Sequence, residues 1–299
     1  MSRLAIRSAA TLAALLALAA CGAPHTSTSV LPSNTQLAEL RRPQDTLGGA
    51  PTFDVDVQIY DAPLANAAHV NLAVAGVEAV SGSTAHPIAT YATPQVVDLL
   101  ALQHQAMAIA GTLPVGNYHA IRLVVDPSHS NVVGTDGTVY PMHFGRWSRG
   151  NPAFVALDAN AHVNGTAGAS VSLTLDFNVL ESISLNGGVA YVDPKLIIAR
   201  GAANVSGKIV NAAGAPVAFA TVTASDADGD LMNVTITGPD GTFALHALAA
   251  GSYTIAVANS STTPFGETIK AIGNDKGGAP SVHLDLAPGD HIDLGTLID

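Results

Sequence analysis

Two short segments hold the residue types best suited to binding. His143-Phe144-Gly145-Arg146-Trp147-Ser148-Arg149 contains the only tryptophan of the chain and two of its 12 basic residues. An exposed indole can stack on a sugar ring, and a guanidinium offers planar donors to hydroxyls or carboxylates. Arg146, Trp147 and Arg149 are therefore the candidate ligand-binding residues. The competing reading is structural. Trp147 would plug one end of a β-sandwich while the arginine stems cover apolar surface, and the usual burial of tryptophan favours that reading. The second segment is Asp226-Ala227-Asp228-Gly229-Asp230. Three carboxylates at alternate positions could converge on Ca²⁺, which takes oxygen ligands. The glycine comes too early for an EF-hand, and no glutamate stands at the twelfth position. A polar hairpin turn is the simpler reading of Asp226, Asp228 and Asp230.

The spacings that reactions require are missing elsewhere. There is no Gly-x-Ser-x-Gly elbow, no His-Glu-x-x-His and no glycine-rich phosphate loop opening a helix. The 11 histidines are scattered, with none at i, i+2 or i+4 from another as zinc sites prefer. The sequence therefore reads as a non-enzyme with no cofactor other than the candidate calcium.

What could position these segments follows from composition. Hydrophobic residues make up 48 %, aromatic residues 5 % and charged residues only 12 % of the 299-residue chain. A chain with few charges and many Thr, Ser, Asn, Gly and Val suits half-buried pleated surfaces better than the wet faces of helices. The length suits two domains.

The single cysteine, Cys21, excludes an intrachain disulfide. Before it, Arg3 and Arg7 precede an apolar run from Ala9 to Ala20 that ends in small residues, the pattern of an export signal. The run is too short to span a bilayer as a helix. Leu18-Ala19-Ala20-Cys21-Gly22 resembles the bacterial lipobox, which implies cleavage before Cys21 and lipid attachment to it. Several acyl chains make a stable anchor, at roughly 0.8 kcal/mol per buried CH₂. Gly22 is not the Asp that resembles an inner-membrane retention signal, so outer-membrane sorting is implied in a Gram-negative host. Residues 1–20 are then the signal peptide, and 21–51 the lipidated cysteine and a Ser-, Thr-, Pro- and Gly-rich tether. Loss of Arg3 and Arg7 leaves 10 basic against 23 acidic residues, a net charge of −13. That balance excludes nucleic acid as a partner, since phosphate binding needs clustered Lys and Arg.

From Phe53 onward, period-two alternation recurs. Examples are Phe53, Val55, Val57 and Ile59; Val171, Leu173, Leu175 and Phe177; Tyr253, Ile255 and Val257; Val282, Leu284 and Leu286. Ser172, Thr174 and Asp176 fall on the alternate, wet face of their strand. Turn signals such as Thr135-Asp136-Gly137, Asn186-Gly187-Gly188 and Pro239-Asp240-Gly241 separate the strands. Within Val96 to Ala110, a strand through Leu102 followed by a loop or helical turn is expected. The whole predicts an all-β protein: two antiparallel β-sandwich domains in tandem, 52–201 and 202–299, behind a lipoprotein signal peptide and flexible tether.

Both domains carry family resemblances. Tyr60-Asp61-Ala62-Pro63, Val97-Asp98-Leu99-Leu100, Leu113 to Tyr118, Leu173 to Phe177 and Val192 to Leu196 together resemble the family called domain of unknown function 4382. That family is similar in being lipoprotein-borne, and the resemblance implies no activity. Val205 to Val210, Gly214-Ala215-Pro216-Val217, Pro239 to Phe243 and Ala250-Gly251-Ser252-Tyr253 resemble the carboxypeptidase-regulatory-like domain. This is a transthyretin-like sandwich within the broad carbohydrate-binding-like fold. Two sandwiches on a lipid tether, without a catalytic constellation, lead to the expectation of a non-enzymatic binding or display module held at the cell envelope by the membrane anchor on Cys21. Its expected partner is a glycan or, alternatively, an envelope protein docked in a structural or assembly role. A hydrolase with an unfamiliar Asp and His site is the third reading.

Overall fold

The computed structural model describes residues 50–298 except 62, 146–152, 258–259, 263–267 and 271–280. Cys21, the tether, Arg146, Trp147 and Arg149 lie outside the described residues.

The first module contains β1 (Thr52–Tyr60), β2 (Ala67–Ser81), β3 (Thr84–Asp98), β4 (Met107–Pro114), β5 (Gly116–Val125) and β6 (Asn131–Gly134). It continues with β7 (Val139–His143), β8 (Val155–Gly165), β9 (Ser170–Asp176), β10 (Ile183–Asn186), β11 (Val189–Val192) and β12 (Ile197–Arg200). One sheet runs β12-β9-β1-β4. The other runs β10-β11-β7-β6-β2-β5-β8, with β3 beside β2. Their apolar faces meet in one core, where Val55, Val57 and Leu173 of the smaller sheet share a cluster with Val77, Ile121 and Leu157 of the larger.

Strand β2 shows how sequence shapes this sheet. On one edge it pairs with β6 from Ala67 to Asn71 and with β5 from Val74 to Val80. The register shifts between Val74 and Gly76, where one long strand changes partners. Gly76 fits because a Cβ there would stand 2.9 Å from the Ala89 carbonyl oxygen of β3. The sheets also close on each other. A Cβ at Gly165 would fall 1.9 Å from the Phe53 ring, so only glycine admits that ring between β8 and β1.

The second module contains β13 (Ala203–Val210), β14 (Thr221–Asp226), β15 (Leu231–Ile236), β16 (Thr242–Leu248) and β17 (Gly251–Val257). It ends with β18 (Ser260–Thr262), β19 (Thr268–Lys270), β20 (Ser281–Leu286) and β21 (His291–Ile298). Sheets β16-β13-β21 and β15-β14-β17-β20 enclose a core of Val205, Ile209, Phe243, Val222, Ile255 and Val257. Strands β1–β12 pair only among themselves, as do β13–β21.

The all-β tandem architecture is as expected, with three refinements. First, β1–β9, β7–β11 and β13–β21 are parallel pairs. Each joins strands distant in sequence, so no local turn signal reveals the direction. Second, β3 ends at Asp98 rather than running through Leu102. The Asp98 carboxylate accepts the Leu100 N–H and caps a 3₁₀ turn, Leu99–Leu102. Third, Thr174 and Asp176 are buried rather than wet, and only Ser172 of that face is exposed; the Asn233 side chain of the second module packs on the Asp176 carboxylate.

Candidate functional site

The residues that precede Arg146, Trp147 and Arg149 in the chain, at the end of β7, are described. There His143, Phe144 and Gly145 meet Ser184 of β10, Tyr191 and Val192 of β11, and Asp193 in a surface cleft of about 260 Å³. The parallel pairing of β7 with β11 sets Tyr191 beside His143. Their rings meet edge to face, with centroids 5.4 Å apart. Phe144 is buried, while 43 % of Tyr191 remains exposed. An aromatic ring half in water beside an imidazole, a hydroxyl and a carboxylate can stack one face of a small ring and hydrogen-bond its rim. Sequence reasoning missed Tyr191, since only β-pairing brings it beside His143.

The aspartate segment is a turn. Asp226 Oδ1 accepts the backbone N–H groups of Asp228 (3.0 Å) and Asp230 (2.9 Å), and the Gly229 N–H donates to the Asp226 carbonyl. Asp226 is half-buried, whereas Asp228 and Asp230 project outward. This geometry is that of the polar hairpin turn, the simpler reading of Asp226, Asp228 and Asp230. Among the described residues no group of three His, Cys, Asp or Glu side chains is placed to hold a metal.

An Asp–Ser–His group follows β5, at Asp126, Ser128 and His129. The Ser128 hydroxyl donates to Asp126 Oδ1 (2.6 Å), and His129 Nδ1 lies 2.7 Å from Asp126 Oδ2. A hydrolytic triad needs the imidazole between hydroxyl and carboxylate. Here both bind the same carboxylate, which caps the 3₁₀ turn Pro127–His129.

A buried polar cluster joins the two modules, and the sequence did not disclose it. Asp176 ends β9 and is 3 % exposed. Its carboxylate accepts the Asn178 backbone N–H and, across the junction, the Asn233 side-chain amide at 2.9 Å. Asn178 caps the short helix α1 (Val179–Ser182) in a left-handed conformation, φ 39°, and donates to Asn233 Oδ1. From the second module, His246 stacks on Tyr60, with centroids 4.0 Å apart and planes 16° apart. Its Nε2 donates to the Gln103 carbonyl at 2.8 Å, and its Nδ1 lies 3.1 Å from the Asn204 side-chain amide. Burial pushes the Asp176 carboxyl up to about 6, against which the Asn233 and Asn178 hydrogen bonds act. Burial likewise pulls His246 down to about 4, aided by the nearby His104 and His291.

These features define a class: a tandem β-sandwich protein with surface clefts and a buried polar junction between its modules. Residues 52–192 match the family model described as Domain of unknown function (DUF4382), and 204–287 match that of the Carboxypeptidase regulatory-like domain. The module order is the one the sequence motifs implied. No curated protein matches the chain. Among solved structures, the Bacillus anthracis TIE protein is 10 % identical with a TM-score of 0.23, and the match covers 82 % of this chain and 33 % of that one. The chain thus spans about a third of that protein's length. The shaft pilin SpaA of Lactobacillus rhamnosus GG is 12 % identical, covering 83 % of this chain and 97 % of that one, with a TM-score of 0.25. BcpA, the major pilin subunit of Bacillus cereus, is 8 % identical, covering 82 % and 69 %, with a TM-score of 0.26.

Proposed function

We propose that this protein is a non-enzymatic binding and display lipoprotein of the bacterial cell envelope, anchored through Cys21, and that it takes a carbohydrate at the Tyr191 cleft. The observation that carries the ligand is the half-exposed Tyr191 ring beside His143, three residues before Arg146 in the sequence segment that also holds Trp147 and Arg149. Tyr191 would stack on the apolar face of a pyranose while Ser184 and Asp193 engage its hydroxyls. Two sandwiches on a tether support display, since they hold the cleft away from the bilayer. In a Gram-negative host the anchor would lie in the outer membrane.

Two measurements test this. Cys21→Ser should abolish metabolic palmitate labelling and move the protein from the membrane to the soluble fraction; unchanged labelling would refute the anchor. In a thermal-shift screen of soluble 22–299 against oligosaccharides, a binding glycan should raise the melting temperature. Tyr191→Ala and Trp147→Ala should each remove that rise while leaving the unliganded melting temperature within about 2 °C. Lack of any glycan response would redirect the search toward envelope protein partners.

A further inference from the structure

The outer face of the sheet β16-β13-β21 lies against the first module and is hollow. Two clefts of about 260 and 330 Å³ lie along it and share His104, Ser206 and Asp293, so they form one groove. Its floor is low because Ser206, Ala244 and Gly295 carry little or no side chain. Its wall is the Gln103-His104 turn of the first module, so neither module builds the groove alone.

The lining constrains the ligand. Ser206, Thr242, the Asn204 amide and the His104 and His291 imidazoles donate or accept hydrogen bonds. Its one ammonium and one carboxylate, Lys208 and Asp293, are of opposite sign, so the lining has no cluster of carboxylates or of ammonium groups to select an ion. Nor does it offer an aromatic platform: Tyr60 is stacked under His246, and Phe243 is fully buried. The polar groups are already oriented. The Asn204 amide lies 3.1 Å from His246 Nδ1 on one side and 3.3 Å from His291 Nδ1 on the other. Preorganised donors and acceptors favour a ligand dense in hydroxyls over an ionic one.

We propose that this junction groove is a second binding site, built by both modules, for a neutral saccharide. It is independent of the Tyr191 cleft and recognises its ligand by hydrogen bonds rather than by stacking.

The test follows the imidazole NMR signals of His104 and His291 in soluble 22–299, assigned by His104→Ala and His291→Ala. The probes are maltotriose, cellotriose and chitotriose, with a trimer of galacturonic acid as the charged control. At least one neutral trisaccharide at millimolar concentration should shift both signals, and the acidic trimer should do so less. Ser206→Trp fills the floor and should abolish the response. Ser206→Ala, which removes one hydroxyl, should weaken it about fivefold. Should the tryptophan variant fail to fold, His104→Ala reports instead, because His104 is exposed on the opposite wall; the His291 response should then weaken by a similar factor. Tyr191→Ala should leave the groove response intact, which separates failure here from failure at the other cleft. Silence from every neutral trisaccharide, tighter binding of the acidic trimer, or a response that survives both Ser206→Trp and His104→Ala would overturn the proposal.

Discussion

Single residues decide where this chain tolerates change, and the glycines show it most clearly. Gly241 has φ 79°, and a Cβ there would stand 2.5 Å from the Ile209 carbonyl oxygen. Gly187 also has a positive φ, 58°, yet a Cβ there meets nothing within 4 Å. Gly241→Ala should therefore cost both backbone strain and a backbone collision, about 3 kcal/mol or more, whereas Gly187→Ala should cost only strain, about 1 kcal/mol. Urea unfolding of the two variants measures the difference, and equal losses would refute the argument. The sequence marked both positions as turns, through Asn186-Gly187-Gly188 and Pro239-Asp240-Gly241, because turn chemistry is local. It could not rank them, because the Ile209 carbonyl arrives through the packing of β13. Tyr191 was illegible for the same kind of reason: its neighbour His143 comes to it through a parallel pairing that leaves no mark in a sequence window.

At the scale of elements, polar residues that end strands carry more of the fold than their number suggests. Asp98 Oδ1 accepts the backbone N–H groups of Leu100 (3.2 Å) and Val70 (3.1 Å), while Oδ2 lies 2.8 Å from His69 Nδ1. One carboxylate thus stops β3, caps the following turn and fixes the adjacent stretch of β2. Asp98→Ala should cost about 2 kcal/mol, and hydrogen exchange should quicken at Leu100 and Val70 before the rest of the sheet. Asp98→Asn keeps the Oδ1 acceptor and should stay within about 1 kcal/mol of the parent. Uniform quickening of exchange across the module would contradict a local role. The existence and faces of the strands were legible because alternation reports which side is buried. The end of β3 was not, since Leu99 and Leu102 are buried and suit a strand as well as a turn. Strand direction and sheet order stayed hidden because they depend on partners far along the chain.

At the scale of the whole molecule, the junction places two ionisable groups with opposite responses to pH in one buried interface. His246 is held near 4, below the ordinary 6.5, so as pH falls from 6.5 to 4 the unfolded chain binds a proton that the folded chain resists. Its contribution to stability therefore rises with pH across that window. Asp176 is held near 6, above the ordinary 3.8, so between 3.8 and 6 the folded chain keeps a proton that the unfolded chain releases. Its contribution falls with pH over almost the same window, and each limb amounts to about 3 kcal/mol. The two nearly cancel, so the parent protein should show little change in unfolding free energy between about pH 4 and 6 from this pair. Removing either partner uncovers the other. His246→Gln should leave a protein that loses stability as pH rises through the window, and Asp176→Asn one that gains it. Substitution at a tight interface also lowers stability at every pH, so the reading lies in the slope and not in the offset. Urea titrations of the three proteins at half-unit pH intervals supply the slopes. Opposite slopes in the two variants would establish that the junction holds both groups neutral and offsets the pH dependence of one against that of the other. Parallel slopes would mean that the groups stay hydrated and that the modules are joined by the apolar contacts of Ala65, Ile236, Leu180 and Phe219 instead.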